Sequence, residues 1–429
     1  MQRIPFSVLI IVSLIYPGAI RAQLDDYVVD ALVRPKTQQQ TITVGDQNSD
    51  LQGFSSLAIQ IAIDALPVTG GTIQLTEGTF EIIGPVRMRS NVTLQGQGEN
   101  TILRKCDGFS THFIIDADYG ELKLTVEDAS GFVTGMGVQI YDDGLKGGWA
   151  VSTAVVTAVV DSTVYVDSYL ARDYSADRNG ILSNACSIIS AVESEKVVIR
   201  DLVVDGNKDT NDYINGCRGG AVYIHKSTNT IVENVHVKNF NGDGISWQLT
   251  EDVIVRNNEI SGCTQSGLHP GTGSPRTIIE GNNSHHNGTD GLFICWRVHH
   301  GEVRDNQFHH NDRYGVCTGH KDTDVLFENN HIYENGSDGV HFRGEKATNA
   351  PHRNTFARNI VENNGTKSGG YGFSFNSPAE EVILRNNTIR DTGDGSQKAA
   401  VYIYKNGLPV VLQENAIIGH PVILFEKED

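Results

Sequence analysis

Five segments of the chain repeat one phrase: Asp243-Gly-Ile-Ser-Trp-Gln, Ser266-Gly-Leu-His-Pro-Gly, Asp290-Gly-Leu-Phe-Ile-Cys, Tyr314-Gly-Val-Cys-Thr-Gly and Asp338-Gly-Val-His-Phe-Arg. Their glycines, Gly244, Gly267, Gly291, Gly315 and Gly339, follow one another in steps of 23, 24, 24 and 24 residues. After each phrase come a polar stretch, an apolar alternation such as Val253-Ile254-Val255, and an asparagine pair such as Asn257-Asn258 or Asn329-Asn330. A helical repeat would place apolar residues three and four apart; strict alternation is the period of a strand. A unit this short cannot bury its apolar face alone, but coils stacked at about 4.8 Å share one continuous core. The expected fold is all-β, a parallel β-helix, with the asparagines forming side-chain ladders where strands turn and accepting left-handed backbone there.

Less regular coils extend the array through Val222-Tyr223-Ile224-His225 on one side, and through Phe373-Ser374-Phe375-Asn376 and Val401-Tyr402-Ile403-Tyr404 on the other. The segment Ser55 to Leu66 has amphipathic helical spacing with Ser55 or Ser56 as N-cap, and would cover the open end of the first coil. The β-helix is expected over 51–429, with a loop from Lys346 to Arg353. A β insertion is expected at about 121–174, where Leu122–Val126, Val138–Tyr141 and Val164–Val166 are strand-like. Residues 1–22 carry Arg3, an apolar run from Phe6 to Tyr16 too short to span a bilayer, and the small Ala22 at a cleavage point. They are expected to be a signal peptide followed by an extension at 23–50, which makes the protein secreted or periplasmic and without a membrane span; a monomer is expected.

The balance of 34 Lys+Arg against 52 Asp+Glu gives a net charge of -18. That excludes a general nucleic-acid binder, which needs a basic face. An acidic polymer would have to be recognised by a local cationic cleft. The six cysteines show no zinc spacing, and their pairing is not legible. Asn-x-Ser/Thr triplets begin at Asn91, Asn282, Asn287, Asn335, Asn364 and Asn386; an asparagine-rich repeat produces such triplets by chance.

The amphipathic segment, the phrase Thr72-Ile-Gln-Leu-Thr-Glu-Gly-Thr-Phe and the phrase Asn91-Val-Thr-Leu-Gln-Gly-Gln-Gly resemble the start of pectate-lyase-like proteins. The coils from about Lys196 to Ile418 resemble the same superfamily, which implies a right-handed β-helix. That fold carries lyases, hydrolases, epimerases and binding proteins. The stretch from Gly267 to Gly344, with His309-His-Asn-Asp-Arg-Tyr-Gly and Glu328-Asn-Asn-His-Ile-Tyr-Glu-Asn-Gly, is similar to the catalytic module of alginate C5-epimerases. That family carries Asp-Pro-His on one strand. His269-Pro270-Gly271 stands at the matching positions here, so its catalytic motif does not carry over.

If Leu268, Leu292, Val316 and Val340 face the core, alternation turns His269, Phe293, Cys317 and His341 outward. Tyr223 and Ser246 precede them in that column, and Ser374 and Tyr402 follow. A second outward column reads His225, Gln248, Gly271, Cys295, Gly319, Arg343, Asn376 and Tyr404, and Lys226, Arg297, Lys321, Glu345 and Lys405 lie at the next turn. Such a face suits an extended, uronate-containing polysaccharide. Elimination from a uronate needs a cation on the carboxylate, a base for the neighbouring C–H and an acid for the leaving oxygen. Arg297, Lys321 and Arg343 are the candidate cations, and His269 or His341 the base or acid.

The two histidines stand three coils apart, about 14 Å, so they cannot share one reacting atom. His269 with Arg297 and Lys321 is the tighter set. Tyr223, His225, Gln248, Phe293, His320, Glu345, Asn376 and Tyr402 are candidate substrate contacts. The expected activity is therefore polysaccharide lyase chemistry or a related C5 proton abstraction. Glycoside hydrolysis would need two facing carboxyl groups, to which Glu345, Asp322 and Asp324 could contribute; a non-catalytic glycan binder is the third alternative. Asp243, Asp290 and Asp338 recur before the glycine and are expected in a turn role. No metal ligand set is expected. The adjacent histidines His285-His286, His299-His300 and His309-His310 would point to opposite sides of a strand, and Asp205, Asp209 and Asp212 are the one run a calcium ion could use.

Overall fold

The computed structural model describes residues 40–144, 148–393 and 395–426. The signal peptide expected at 1–22 lies outside the described residues. Eleven short strands form one wholly parallel sheet, running from Val86–Met88 through Ile189–Val192, Val222–His225, Ile245–Gln248, Leu268–Gly271, Leu292–Phe293, Val316–Thr318, Val340–Phe342, Phe373–Phe375 and Val401–Ile403 to Ile423–Phe425. Two further strands per coil, such as Ile278–Glu280 and Asn283–His285, pair with their counterparts one coil on and form the remaining walls. The chain is thus the all-β parallel solenoid that its repeat demands.

The core is a stack of like residues. Leu268, Leu292, Val316 and Val340 are fully buried, and Phe327 stacks on Phe356 with ring centroids 4.2 Å apart. Each such side chain contributes about 1.5–3 kcal/mol by leaving water. Beside them run two internal amide ladders. Asn258 donates to Asn282, Asn282 to Asn306 and Asn306 to Asn330, each at 2.9 Å. Asn287, Asn311, Asn335 and Asn364 repeat the pattern at 2.9–3.0 Å. Their pair-mates Asn257 and Asn329 take φ 54° and 55°, the left-handed turn. The repeat glycine makes room for the ladder: a Cβ on Gly267 would lie 2.0 Å from Ser284 Oγ and 2.7 Å from Asn287 Nδ2.

The helix Ser56–Ala65 starts where the Ser55 hydroxyl accepts from the Ala58 N–H, and buries Ala58, Ile59, Ala62 and Ile63 at helical spacing. The stack begins earlier than 51, because Thr41–Gly45 pairs in parallel with Gly71–Leu75. Between Ser110 and Ser183 the chain leaves the column for a six-stranded antiparallel sheet, with its own core of Phe113, Leu124, Val138, Ile140, Val156 and Tyr174. Its Trp149 carbonyl accepts from Arg218, and the Trp149 ring lies 6.2 Å from that of His225, so the excursion walls one end of the eleven-stranded face.

Candidate functional site

Strand register places the outward column as alternation requires. Tyr223, Ser246 and His269 are aligned partners, as are Phe293, Cys317, His341, Ser374 and Tyr402. The surroundings differ from an open wet strip. The segment from Tyr213 to Arg218 lies over the first coils. The Gly216 carbonyl accepts from Ser246 Oγ at 2.7 Å and from Gln248 Nε2 at 3.4 Å, and the Cys217 carbonyl accepts from Tyr223 Oη at 2.8 Å. Gln248 is therefore fully buried and Tyr223 is 7 % exposed, so neither is free to contact a polysaccharide directly. Alternation fixes a side chain's direction but is silent about a loop folding over it.

Under the edge of that segment, His269 Nδ1 donates to Asp243 Oδ2 at 2.7 Å, and both residues are 5 % exposed. Gly216 must be glycine: a Cβ there would lie 1.7 Å from Asp243 Oδ2 and 2.4 Å from His269 Nδ1. Burial disfavours the imidazolium, but the Asp243 carboxylate and its hydrogen bond, helped by the Cys295 thiol, outweigh it and raise the His269 pKa to about 9. Gln248 Nε2 sits 3.5 Å from His269 Nε2, and Phe293 meets the ring edge-on with centroids 5.0 Å apart. The pair opens into a cleft of about 100 Å³ lined by Tyr213, Asn215, Thr289, Phe293 and Arg313, among others.

Arg313 is the cation of this cleft. Its Nε and Nη2 hold the fully buried Asp290 at 2.9 and 2.6 Å, while its side chain stays 44 % exposed. Asp243, Asp290 and Asp338 each accept from a turn N–H of the next coil, of Ser266, Tyr314 and Tyr371, and each also contacts a side chain of the face, His269, Arg313 and His341. His341 Nδ1 lies 2.7 Å from Ser374 Oγ, whose proton goes to Asp338 Oδ2 at 2.5 Å, and the imidazole stacks on Tyr314 at 4.3 Å. Position in a turn hid these carboxylates and Arg313 from strand-period reasoning. The signal available was the aspartate recurring one residue before the repeat glycine.

The cations expected from sequence are elsewhere. Arg297 and Lys321 are exposed at the turns ending the strands, with φ 61° and 57°, and neither lines the His269 cleft. Arg343 lies over the Phe293 ring at 4.7 Å, donates to the Ile294 carbonyl at 2.8 Å and reaches Asp322 Oδ2 at 3.5 Å. His320 faces outward, stacked on the exposed Trp296 at 4.4 Å and 3.3 Å from Glu345 Oε2. His225, Asn376 and Tyr402 are partly exposed along the same face, where Tyr402 stacks on Tyr371 at 4.1 Å.

Asp322 is buried and accepts from the Val298 and Gly319 N–H groups, and Asp324 holds Arg353 at 2.7 Å, so both carboxylates are engaged at turns. Asp205 pairs with Arg104 at 2.8 Å and Asp212 accepts from Tyr141 Oη at 3.2 Å, so the acidic run does not converge on one point. All six cysteines are free, and burial pushes the Cys217, Cys263 and Cys317 thiols up to about 12, which leaves them protonated at neutral pH. Among the described residues no helix is long and apolar enough to cross a membrane.

Comparison with known proteins places this geometry in a wider set of folds. The mannuronan C-5 epimerase AlgE4 A-module of Azotobacter vinelandii superposes with a TM-score of 0.56 at 16% identity, covering 86% of this chain and 93% of that one. The AlgE6 A-module of the same organism gives 0.52 at 17%, covering 86% and 95%. ORF18 of Geobacillus virus E2 gives 0.55 at 12%, covering 100% of this chain and 66% of that one. At such identities the likeness is one of fold. No curated protein matches the sequence. The model of the right-handed β-helix region matches residues 174–356 and again 272–419, together more than half of the chain, and the protein belongs to that family.

Proposed function

We propose that the protein is a secreted enzyme acting on an acidic, uronate-containing polysaccharide by proton abstraction and β-elimination in the His269 cleft. The observation that carries this reading is the buried His269–Asp243 pair opening into a cleft whose cation is Arg313. With its pKa raised to about 9, His269 is an imidazolium at neutral pH, and so the acid that protonates the departing glycosidic oxygen. Asp243 holds the ring and its charge. Arg313 uses Nε and Nη2 on Asp290, leaving Nη1 for a substrate carboxylate, whose neutralisation acidifies the adjacent C–H. The cleft's remaining titratable side chain is Tyr213, whose phenol burial pushes up to about 12. It can accept the C5 proton only as the phenolate, a small fraction at neutral pH, so turnover should rise with pH until His269 loses its own proton.

The A-modules named above come from epimerases acting on mannuronan, a uronate polymer, and elimination and epimerisation begin with the same C5 proton abstraction. Their fold likeness is compatible with this reading, but the His269–Asp243 pair supports it. Hydrolysis is less well served, because Asp243 and Asp290 are both held by cations and neither is a free acid. The test is product chemistry across a panel of acidic and neutral polysaccharides. Unsaturated, ultraviolet-absorbing ends made by the native protein and lost in His269→Gln and Arg313→Ala support the proposal. Reducing ends without that absorbance, or full activity in both variants, reject it.

A further inference from the structure

A second cluster lies away from the cleft, on the wall formed by Glu259–Ser261, Asn283–His285, Gln307–His309 and His331–Tyr333. Neighbouring residues on a strand should point apart, but His286 and His310 take φ 52° and 53°, in the left-handed region. The turn brings each ring back beside its predecessor. His285 Nδ1 lies 2.8 Å from His286 Nδ1, and His309 Nδ1 lies 2.8 Å from His310 Nδ1. The two pairs stack on each other, His285 on His309 at 4.8 Å and His286 on His310 at 4.9 Å, and Tyr333 continues the stack beyond His309 at 4.5 Å.

Each outer nitrogen of the second pair faces an oxygen. His309 Nε2 faces Asn283 Oδ1 at 2.9 Å, and His310 Nε2 faces Glu334 Oε2 at 2.8 Å. The Glu334 carboxylate can only accept, so His310 donates from Nε2 and keeps a lone pair on Nδ1. That lone pair faces His309 Nδ1 at 2.8 Å, a hydrogen-bond spacing whose shared proton a metal ion can displace. Metal-bound histidines donate their other ring N–H to a carboxylate or carbonyl in the same manner. A metal–nitrogen bond of about 2.1 Å would set two cis nitrogens about 3 Å apart, close to the spacing present. Glu259 Oε1, 3.3 Å from His285 Nε2, plays the outer part in the first pair.

We propose that His309 with His310, and His285 with His286 one coil before, are bidentate imidazole chelates for divalent transition-metal ions such as Ni²⁺ or Zn²⁺. Among the described residues no three His, Cys, Asp or Glu side chains converge on one point. Each ion is therefore held by two imidazoles with water completing its shell, as suits a surface site in an acidic protein. The site is independent of the His269 cleft and of the activity proposed for it.

Calorimetric titration of the full chain with NiCl₂ tests the site, together with its absorption spectrum. Saturable binding of two ions is expected without a thiolate-to-metal band, and the double variant His309→Ala with His310→Ala should abolish one of the two sites. Glu334→Gln should weaken it by roughly 10- to 100-fold, the usual cost of an outer-shell partner. The pair His299 and His300 supplies the control, since its rings also meet edge-on, at 5.0 Å. Undiminished binding in the His309/His310 variant, loss in the His299→Ala, His300→Ala variant instead, or a thiolate band would overturn the proposal. Circular dichroism of each variant separates loss of a ligand from loss of the fold.

Discussion

His269 Nδ1 and Asp243 Oδ2 lie 2.7 Å apart although 26 residues separate them, because one turn of the solenoid sets the residue before a repeat glycine beside the next coil's outward histidine. Since the folded-state pKa of His269 is raised, to about 9, the pair's stabilisation is fully present below about pH 6.5, the unfolded value, and is lost as pH rises through about 9. Denaturant titrations at pH 6.5 and pH 10 should differ by on the order of 3 kcal/mol, and the difference should vanish in Asp243→Asn. The alkaline limb of the activity profile should follow the same group, while Asp243→Asn should lower turnover by about 10²- to 10⁴-fold.

Arg313, rather than Arg297 or Lys321, should control activity. Arg313→Ala should depress kcat/KM on a uronate polymer by about tenfold or more, while Arg297→Ala and Lys321→Ala should stay near the native value. Steady-state kinetics on the three variants decides this.

Gly216 should tolerate no side chain. Its missing Cβ would sit 1.7 Å from Asp243 Oδ2, so Gly216→Ala must force the covering segment away from the pair. The expected result is lost turnover with far-ultraviolet circular dichroism unchanged. Retained turnover would show that the segment plays no part in shaping the site.

The amide ladder predicts a stability cost far from the cleft. Asn306 donates to Asn330 and to the Ile279 carbonyl, and accepts from Asn282. Asn306→Ala orphans buried partners on both sides, at about 1–3 kcal/mol for each unsatisfied group, measurable by denaturant unfolding. The same burial governs glycosylation. Asn282, Asn287, Asn335 and Asn364 are ladder members with at most 1 % exposure, so in a eukaryotic secretory host only Asn91 and Asn386 should acquire glycans.

The column, its period and the outward register of His269, Phe293 and His341 were legible because one strand alternation and one coil length govern them all. The partners of those residues were not. Asp243, Asp290 and Arg313 come from turns, where alternation has no meaning, and Tyr223 and Gln248 are hidden by a segment whose path no periodicity records. Failure of alternation at left-handed turns also explains the histidine pairs: His286 and His310 swing beside their neighbours only because their φ is positive.

The proposed chemistry requires the cleft to remove a proton from carbon. Proton NMR of a uronate polysaccharide digested in D₂O, by the native protein and by His269→Gln, addresses it most directly. The native protein should consume the C5–H signal and generate a vinylic proton, and the variant should leave the polymer's spectrum unchanged. New chain ends with every C5–H retained would contradict it.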